Sequence, residues 1–136
     1  MLVSRAAICV CFVLSLLTSC DDRRTLNIRL AENMPLDLVT WPRDPNNSVV
    51  LLGKRTVALQ PDAPEYHQFD QWLTTSQQGW RKLPFEKGPS DGIFVISGDL
   101  HFHFHLRTVT LTMGGTTYFK EISEDEYAFL KPRAGI

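Results

Sequence analysis

Three histidines, His101, His103 and His105, alternate with bulky apolar side chains in one short stretch of the sequence. Alternate residues of a β-strand share a face and lie about 6.5–7 Å apart. Two such imidazoles can bind one zinc or copper ion if a further ligand comes from another element, and His67 is the only other histidine. The alternative is the polar face of an amphipathic strand, because the run contains no cysteine or carboxylate. We therefore expect no metal cofactor.

Residues 88–92, Gly-Pro-Ser-Asp-Gly, match the G-x-S-x-G pattern of a hydrolase nucleophile elbow. That elbow needs a strand before its serine and a helix after it, whereas here a strand-like apolar segment follows Ser90. A turn that enters a strand explains the same residues. His67 and Asp70 can meet on one helix face, but no credible nucleophile accompanies them. Since the chain also has no phosphate-binding loop, dinucleotide fingerprint or HExxH motif, the sequence predicts a protein that is not an enzyme.

Two pairs of tryptophan and arginine are candidates for contact with a protein partner. Trp41 and Arg43 lie in a proline-rich segment, and Trp80 and Arg81 follow the predicted end of a helix. Tryptophan and arginine are enriched at binding hot spots. The alternative is that Trp80, and Trp41 with it, closes the edge of the hydrophobic core.

A predicted hairpin positions the histidine strand. Apolar residues alternate over 100–104 and then, with the opposite parity, over 109–113, which one straight strand cannot accommodate. A two-residue turn at Leu106-Arg107 resolves the change and places the histidines opposite threonines. The apolar pairs are then Phe104 with Val109, Phe102 with Leu111, and Leu100 with Met113. Because glycines allow flanking turns, residues 93–122 are predicted to form a four-stranded antiparallel meander.

Two helices complete the prediction of an α+β domain over residues 25–136. The main helix spans about 63–77, with Asp62 as its cap and with Tyr66, Phe69, Trp72 and Leu73 on one apolar stripe. A short C-terminal helix is predicted after Ser123. Ser123 and Glu126 have the spacing of a capping box, which marks the start of a helix.

Three segments before the main helix are read from their periodicity. Residues 25–30 alternate and predict a strand. Residues 48–59 predict either a hairpin about Gly53-Lys54 or one longer strand. Residues 33–48 contain three prolines and no period, so we expect a long surface loop.

Residues 1–19 predict an export signal. Their apolar run, Ala6–Leu17, is shorter than the roughly 20 residues that span a bilayer but fits the apolar region of a secretory signal. The stretch Leu17-Thr18-Ser19-Cys20 resembles the lipobox of bacterial prolipoproteins. This resemblance implies that the signal is cut before Cys20 and that this cysteine carries a diacylglyceryl anchor. Because Cys9 and Cys11 leave with the signal, Cys20 has no disulfide partner within the chain.

The residues after Cys20 bear on which membrane the lipidated protein reaches. Residues 20–24 are predicted to form the lipidated tether. Asp21 and Asp22 resemble the signal that keeps enterobacterial lipoproteins in the inner membrane, which implies the periplasmic face of that membrane. The alternative is that they only begin a solvated tether.

The net charge of −1 and the absence of a basic stripe disfavour a nucleic-acid partner. The sequence therefore favours a membrane-anchored, periplasm-facing binding module with a protein partner. Small lipoprotein immunity proteins, which block secreted antibacterial toxins, share this format. The alternatives are a lipoprotein subunit of a cell-envelope assembly and a periplasmic metal-binding protein that uses the three histidines.

Overall fold

The structure, a computed structural model, describes residues 22–85 and 90–136. The predicted signal, Cys20 and Asp21 lie outside the described residues, as do the first two residues of the Gly-Pro-Ser-Asp-Gly motif. The regular structure of the described chain is mainly antiparallel β-sheet, with two short helices. The strands are β1 Leu36–Thr40, β2 Arg43–Asp44, β3 Asn47–Leu51, β4 Arg55–Leu59, β5 Arg81–Leu83, β6 Ile93–Ser97, β7 Leu100–His105, β8 Thr108–Met113 and β9 Thr116–Glu121.

Seven strands form one sheet in the order β4-β1-β6-β7-β8-β9-β5, and β2 pairs with β3 in a separate hairpin. The predicted meander is confirmed as β6 to β9. Its register pairs Phe104 with Val109 and Phe102 with Leu111, as the parity change predicted. The ladder begins at the pair of His101 and Thr112, so Leu100 and Met113 are not partners within it.

Helix α1, Pro64–Thr75, packs on one face of this sheet. Its stripe of Tyr66, Phe69, Trp72 and Leu73 is buried, as predicted. The Phe69 ring meets Phe102 edge-on, with 5.2 Å between the ring centroids, and the Trp72 ring lies 5.1 Å from Phe104. These four rings belong to the hydrophobic core. Burial of each large apolar side chain stabilises the fold by roughly 1.5–3 kcal/mol.

The predicted cap of α1 is wrong. The N-cap residue is Ala63, without a side-chain hydrogen bond, rather than Asp62. Pro64 occupies the first turn, where its missing N–H costs nothing and its fixed φ suits the helix. The helix therefore begins without a polar cap and depends on its buried face.

The predicted surface loop over residues 33–48 is also wrong. Strand β1 runs through it and lies inside the sheet, between β4 and β6. Leu36, Leu38 and Val39 are all buried, so β1 lacks the clean alternation of a half-exposed strand. Pro35 and Pro42 flank the strand and leave its ladder hydrogen bonds intact.

Residues 25–30 are not a strand, although Leu26 and Ile28 are buried as their alternation suggested. The Gln77 side chain takes the place of a neighbouring strand. Its Oε1 accepts from the Ile28 N–H at 2.7 Å, and its Nε2 donates to the Ile28 carbonyl at 3.0 Å.

Both predictions for residues 48–59, a hairpin about Gly53-Lys54 and one longer strand, are wrong as well. β3 and β4 are separate strands, but β3 pairs with β2 and β4 pairs with β1. They therefore form neither a hairpin with each other nor one long strand.

The C-terminal segment combines two 3₁₀ turns, Glu124–Glu126 and Ala128–Leu130, with helix α2, Lys131–Ala134. The predicted capping box of Ser123 and Glu126 is confirmed at the first turn. Within residues 22–85 and 90–136, none of the helices has the length and apolar character needed to cross a bilayer.

Candidate functional site: the Arg43 site and the histidine face

The face of the sheet opposite α1 carries the three histidines, each opposite a threonine of β8 as predicted. This face is not uniformly polar. His101 is exposed and His105 is half-buried, but His103 is only 3% exposed. The alternative reading of the histidines, as the polar face of an amphipathic strand, therefore does not hold at His103, which is buried.

A row of rings covers His103. Phe94, its partner on β6, stacks on the imidazole with 4.0 Å between centroids and an interplanar angle of 12°. Trp41 meets the other side of Phe94 edge-on at 5.0 Å, and His105 lies 5.9 Å from His103 in a stacked arrangement. These rings bury the centre of the face.

The segment before β6 fixes the orientation of His103. Its Nε2 lies 2.8 Å from the Asp91 carbonyl oxygen, which can only accept, so Nε2 carries the hydrogen of this contact. Ser90 Oγ lies 3.3 Å from the same nitrogen and donates to the same carbonyl. An Nε2 that already donates cannot take the Ser90 proton, so this contact does not supply the base that a serine nucleophile requires.

Gly92 permits this close approach. It has φ of +107°, which residues with a Cβ rarely adopt. A Cβ at this position would clash with the Phe104 carbonyl oxygen and lie 3.0 Å from His103 Nε2. The second glycine of the Gly-Pro-Ser-Asp-Gly motif therefore has a structural role.

The Asp91 side chain organises what we call the Arg43 site: Trp41, Arg43, Asp91 and His105. Arg43 Nη2 lies 3.1 Å from Asp91 Oδ1, and Arg43 Nε donates to Oδ2 at 3.2 Å, which makes a two-point contact. His105 Nε2 lies 3.3 Å from Oδ1. The hydrogen bond from Arg43 lowers the pKa of Asp91, and the charges of His105 and Arg43 also lower it, although desolvation opposes them.

Arg43 also joins the site to the β2–β3 hairpin. Its Nη1 donates to the Ser48 carbonyl oxygen on β3. The Leu52 N–H donates to the Pro42 carbonyl oxygen at 2.6 Å and closes the base of the hairpin. Beyond this base the hairpin presents apolar side chains to solvent, and Val49 is 84% exposed.

A cavity of about 410 Å³ adjoins the Arg43 site at the end of β7. Its lining includes Trp41, Arg43, Asp91, His105, Tyr127 and Lys131. The apolar floor and charged rim are typical of a recognition surface.

The second predicted pair does not join this site. Trp80 is 0% exposed, and its indole N–H donates to the Ser76 carbonyl oxygen at 2.7 Å. Its expected contact with a partner is therefore wrong, and the alternative of a core-edge residue is confirmed. Arg81 lies on β5, at the opposite end of the sheet from β1, where it pairs with Asp22 at 3.6 Å.

The histidines do not converge with further ligands. In the two described ranges, no group of three histidine, cysteine or acidic side chains has a geometry that could hold a metal ion. His67 is on α1, on the other side of the sheet from His103. It lines an open groove of about 860 Å³ together with Tyr66 and Asp70.

The sequence reasoning missed Asp91 and the exposed apolar side chains of the hairpin. The sequence predicts Asp91 only as a turn residue, because its partner Arg43 lies 48 positions away in the chain. The hairpin was divided between a loop and a strand. Four consecutive apolar residues at 49–52, directly after the polar run Asn46-Asn47-Ser48, were a usable signal once β2 was known. No protein-family model, curated protein or solved structure matches the chain.

Proposed function

We propose that this chain is a lipid-anchored, periplasm-facing binding protein without enzymatic activity, and that its partner docks on the β2–β3 hairpin and the Arg43 site. The observation that carries this proposal is the exposure of Val49 and Val50 on β3 and of Leu52 directly after it. Contiguous exposed apolar side chains with a polar rim are typical of protein-interaction surfaces.

The Arg43 site supplies the rim of this surface. Arginine and tryptophan are the residues most enriched at hot spots, and a preorganised side chain loses little entropy on binding. Arg43 is held at both Asp91 and Ser48, so it is ordered before a partner arrives. An acidic group on the partner is the natural complement, since Arg43 retains donors beyond its contact with Asp91.

Within this class we favour an immunity protein that blocks a secreted antibacterial toxin at the inner membrane. The proposed anchor at Cys20 would hold the domain where such a toxin acts, and Asp21 and Asp22 would retain it there. No cofactor is needed for blocking by contact. The format of the molecule supports this choice: a lipobox, one small domain and a preformed recognition surface.

The experiment is a protection assay. The exported product of the adjacent reading frame is produced in a susceptible bacterial host with and without this chain. We expect the chain to restore growth, and the double substitution Val49→Asp/Val50→Asp to abolish protection without unfolding the domain, because both side chains are exposed.

The matched control is Gln68→Asp, an exposed position of α1 on the other side of the sheet. Protection that survives Val49→Asp/Val50→Asp but fails in Gln68→Asp would place recognition on α1 and overturn the docking surface. Binding of a non-toxic neighbouring product would instead assign the chain to an envelope assembly.

A further inference from the structure

The sheet edge formed by β5 gathers cations where the described chain begins. We call this region the tether edge: Arg23, Arg24, Arg81, Lys82 and Lys120. Arg24 pairs with Trp80 through two backbone hydrogen bonds of 2.7 and 3.1 Å, directly before β5. Arg23, Arg81 and Lys120 line one shallow cavity. Among residues 22–85 and 90–136, two acids offset part of this charge: Asp22 pairs with Arg81, and Glu121 borders the same cavity.

An exposed aromatic residue adjoins these cations. Phe85 follows β5 and is 60% exposed. It lines a shallow groove with Lys82, Leu83 and Pro84. Aromatic side chains beside lysine and arginine suit the boundary between lipid headgroups and acyl chains.

We infer that the tether edge is a membrane-contact surface that binds anionic phospholipid headgroups, with Phe85 entering the interface. The inference rests on the proposed anchor, because the chain outside the structure leads from this edge to Cys20. Charge complementarity selects the occupant. A basic patch held next to an acyl anchor attracts the anionic headgroups of the membrane that the anchor enters.

This contact would orient the whole domain. The strand order from β5 to β1 passes through β9, β8, β7 and β6, which makes five steps between neighbouring strands. At about 4.8 Å for each step, β1 lies roughly 24 Å from the membrane-facing edge. Arg43 and the β2–β3 hairpin follow β1 directly in the chain. The recognition surface would thus face away from the bilayer, toward a partner arriving through the periplasm.

The experiment is hydrogen exchange on the protein as recovered from bacterial membranes and reconstituted in vesicles. One set of vesicles contains phosphatidylcholine alone, and the other contains roughly 30% phosphatidylglycerol. We expect amide exchange over residues 81–85 to slow by about fivefold or more on the anionic vesicles and to recover at high salt, because salt screens headgroup charge. Exchange in the β2–β3 hairpin should be the same on both.

Charge reversal provides the decisive variants. Arg81→Glu/Lys82→Glu should remove the slowing, whereas the matched control Lys54→Glu/Arg55→Glu, at the opposite edge of the sheet, should retain it. Unchanged exchange in α1 will show that each variant is folded. Equal exchange on both kinds of vesicle, or slowing that persists in Arg81→Glu/Lys82→Glu, would overturn the inference.

Two further outcomes are distinguishable. Slowing produced by soluble polyglutamate but not by anionic vesicles would assign the patch to an acidic polypeptide and overturn the inference. Failure of the anchor has a different signature: the protein would not remain with phosphatidylcholine vesicles on flotation. Its retention by anionic vesicles alone would then still support the tether edge.

Discussion

Arg43 contacts both carboxylate oxygens of Asp91, at 3.1 and 3.2 Å, across 48 positions of the sequence. This contact joins the β2–β3 hairpin to the segment that enters β6. Both side chains are more than a third exposed, so solvent screens the pair and its contribution to stability is small. Its main effect is to hold one arginine in one orientation beside Trp41.

The ionisation of Asp91 provides a direct test of this contact. Arg43 lowers the pKa of the carboxyl, so the contact is present above the pKa of the unfolded chain and is lost as pH falls through the lower folded value. Arg43→Ala should therefore raise the pKa of Asp91, as measured by carboxyl carbon NMR in an acid titration. Lys54→Ala should leave it unchanged. An unaltered titration of Asp91 in Arg43→Ala would show that the pair is absent in solution.

Gly92 should tolerate no side chain. Gly92→Ala introduces a Cβ at positive φ and against the Phe104 carbonyl oxygen, so we expect a loss of about 2 kcal/mol or more in the free energy of unfolding. Gly53→Ala is the control, because nothing lies within 4 Å of its added Cβ. Denaturant unfolding measures both. Similar effects of the two substitutions would contradict the close approach of residue 92 to β7.

The histidines should differ sharply from one another. His103→Asp places a carboxylate beneath Phe94 and next to a carbonyl oxygen, and we expect it to destabilise the fold by about 3 kcal/mol. His101→Asp, on the same face but exposed, should change stability by less than about 0.5 kcal/mol. Thermal and denaturant unfolding of the two variants provide the comparison. Equal, mild effects would mean that the row of rings does not bury His103.

The meander was predictable because side chains of a strand alternate between the two faces with a period of two. The apolar positions shift from even to odd numbers between Phe104 and Val109, and a short turn between two strands explains that shift. Strand β1 was not predictable in the same way. Its last three residues, Leu38 to Thr40, are all buried, so the strand lacks a clean alternation, and the flanking Pro35 and Pro42 suggested a loop. Conversely, Leu26 and Ile28 alternate and are buried although they do not belong to a strand. The side-chain amide of Gln77 makes the hydrogen bonds to the backbone of Ile28 that a neighbouring strand would otherwise make.

The candidate site was predictable only by residue type. Trp41 and Arg43 were identified from their chemistry, but Trp80 carries the same chemistry and is buried. Which tryptophan reaches solvent depends on long-range packing: Trp80 is fixed by the two backbone hydrogen bonds that pair it with the distant Arg24. No local spacing encodes such contacts.

The anchor has its own test. Cys20→Ser should abolish incorporation of labelled palmitate and leave an uncleaved precursor or a soluble export product, because no other cysteine follows the signal. In an enterobacterial host, Asp21→Ser should shift the lipidated protein toward the outer-membrane fraction. Palmitate labelling of Cys20→Ser equal to that of the parent would exclude lipidation at this residue. If Asp21→Ser stays in the inner-membrane fraction, Asp21 is part of the tether and not a sorting signal.

The metal-binding alternative can be decided by calorimetric titration of the purified protein with zinc and copper(II) at neutral pH. We expect only weak binding without defined stoichiometry. His103 Nε2 is already engaged at the Asp91 carbonyl, and His105 Nε2 faces the Asp91 carboxylate, which together do not supply the four ligands of a closed zinc site. His101→Ala should leave the titration unchanged. A tight one-to-one site that disappears in both His103→Ala and His105→Ala would show that the strand reorganises around a metal, and it would make metal binding the leading function.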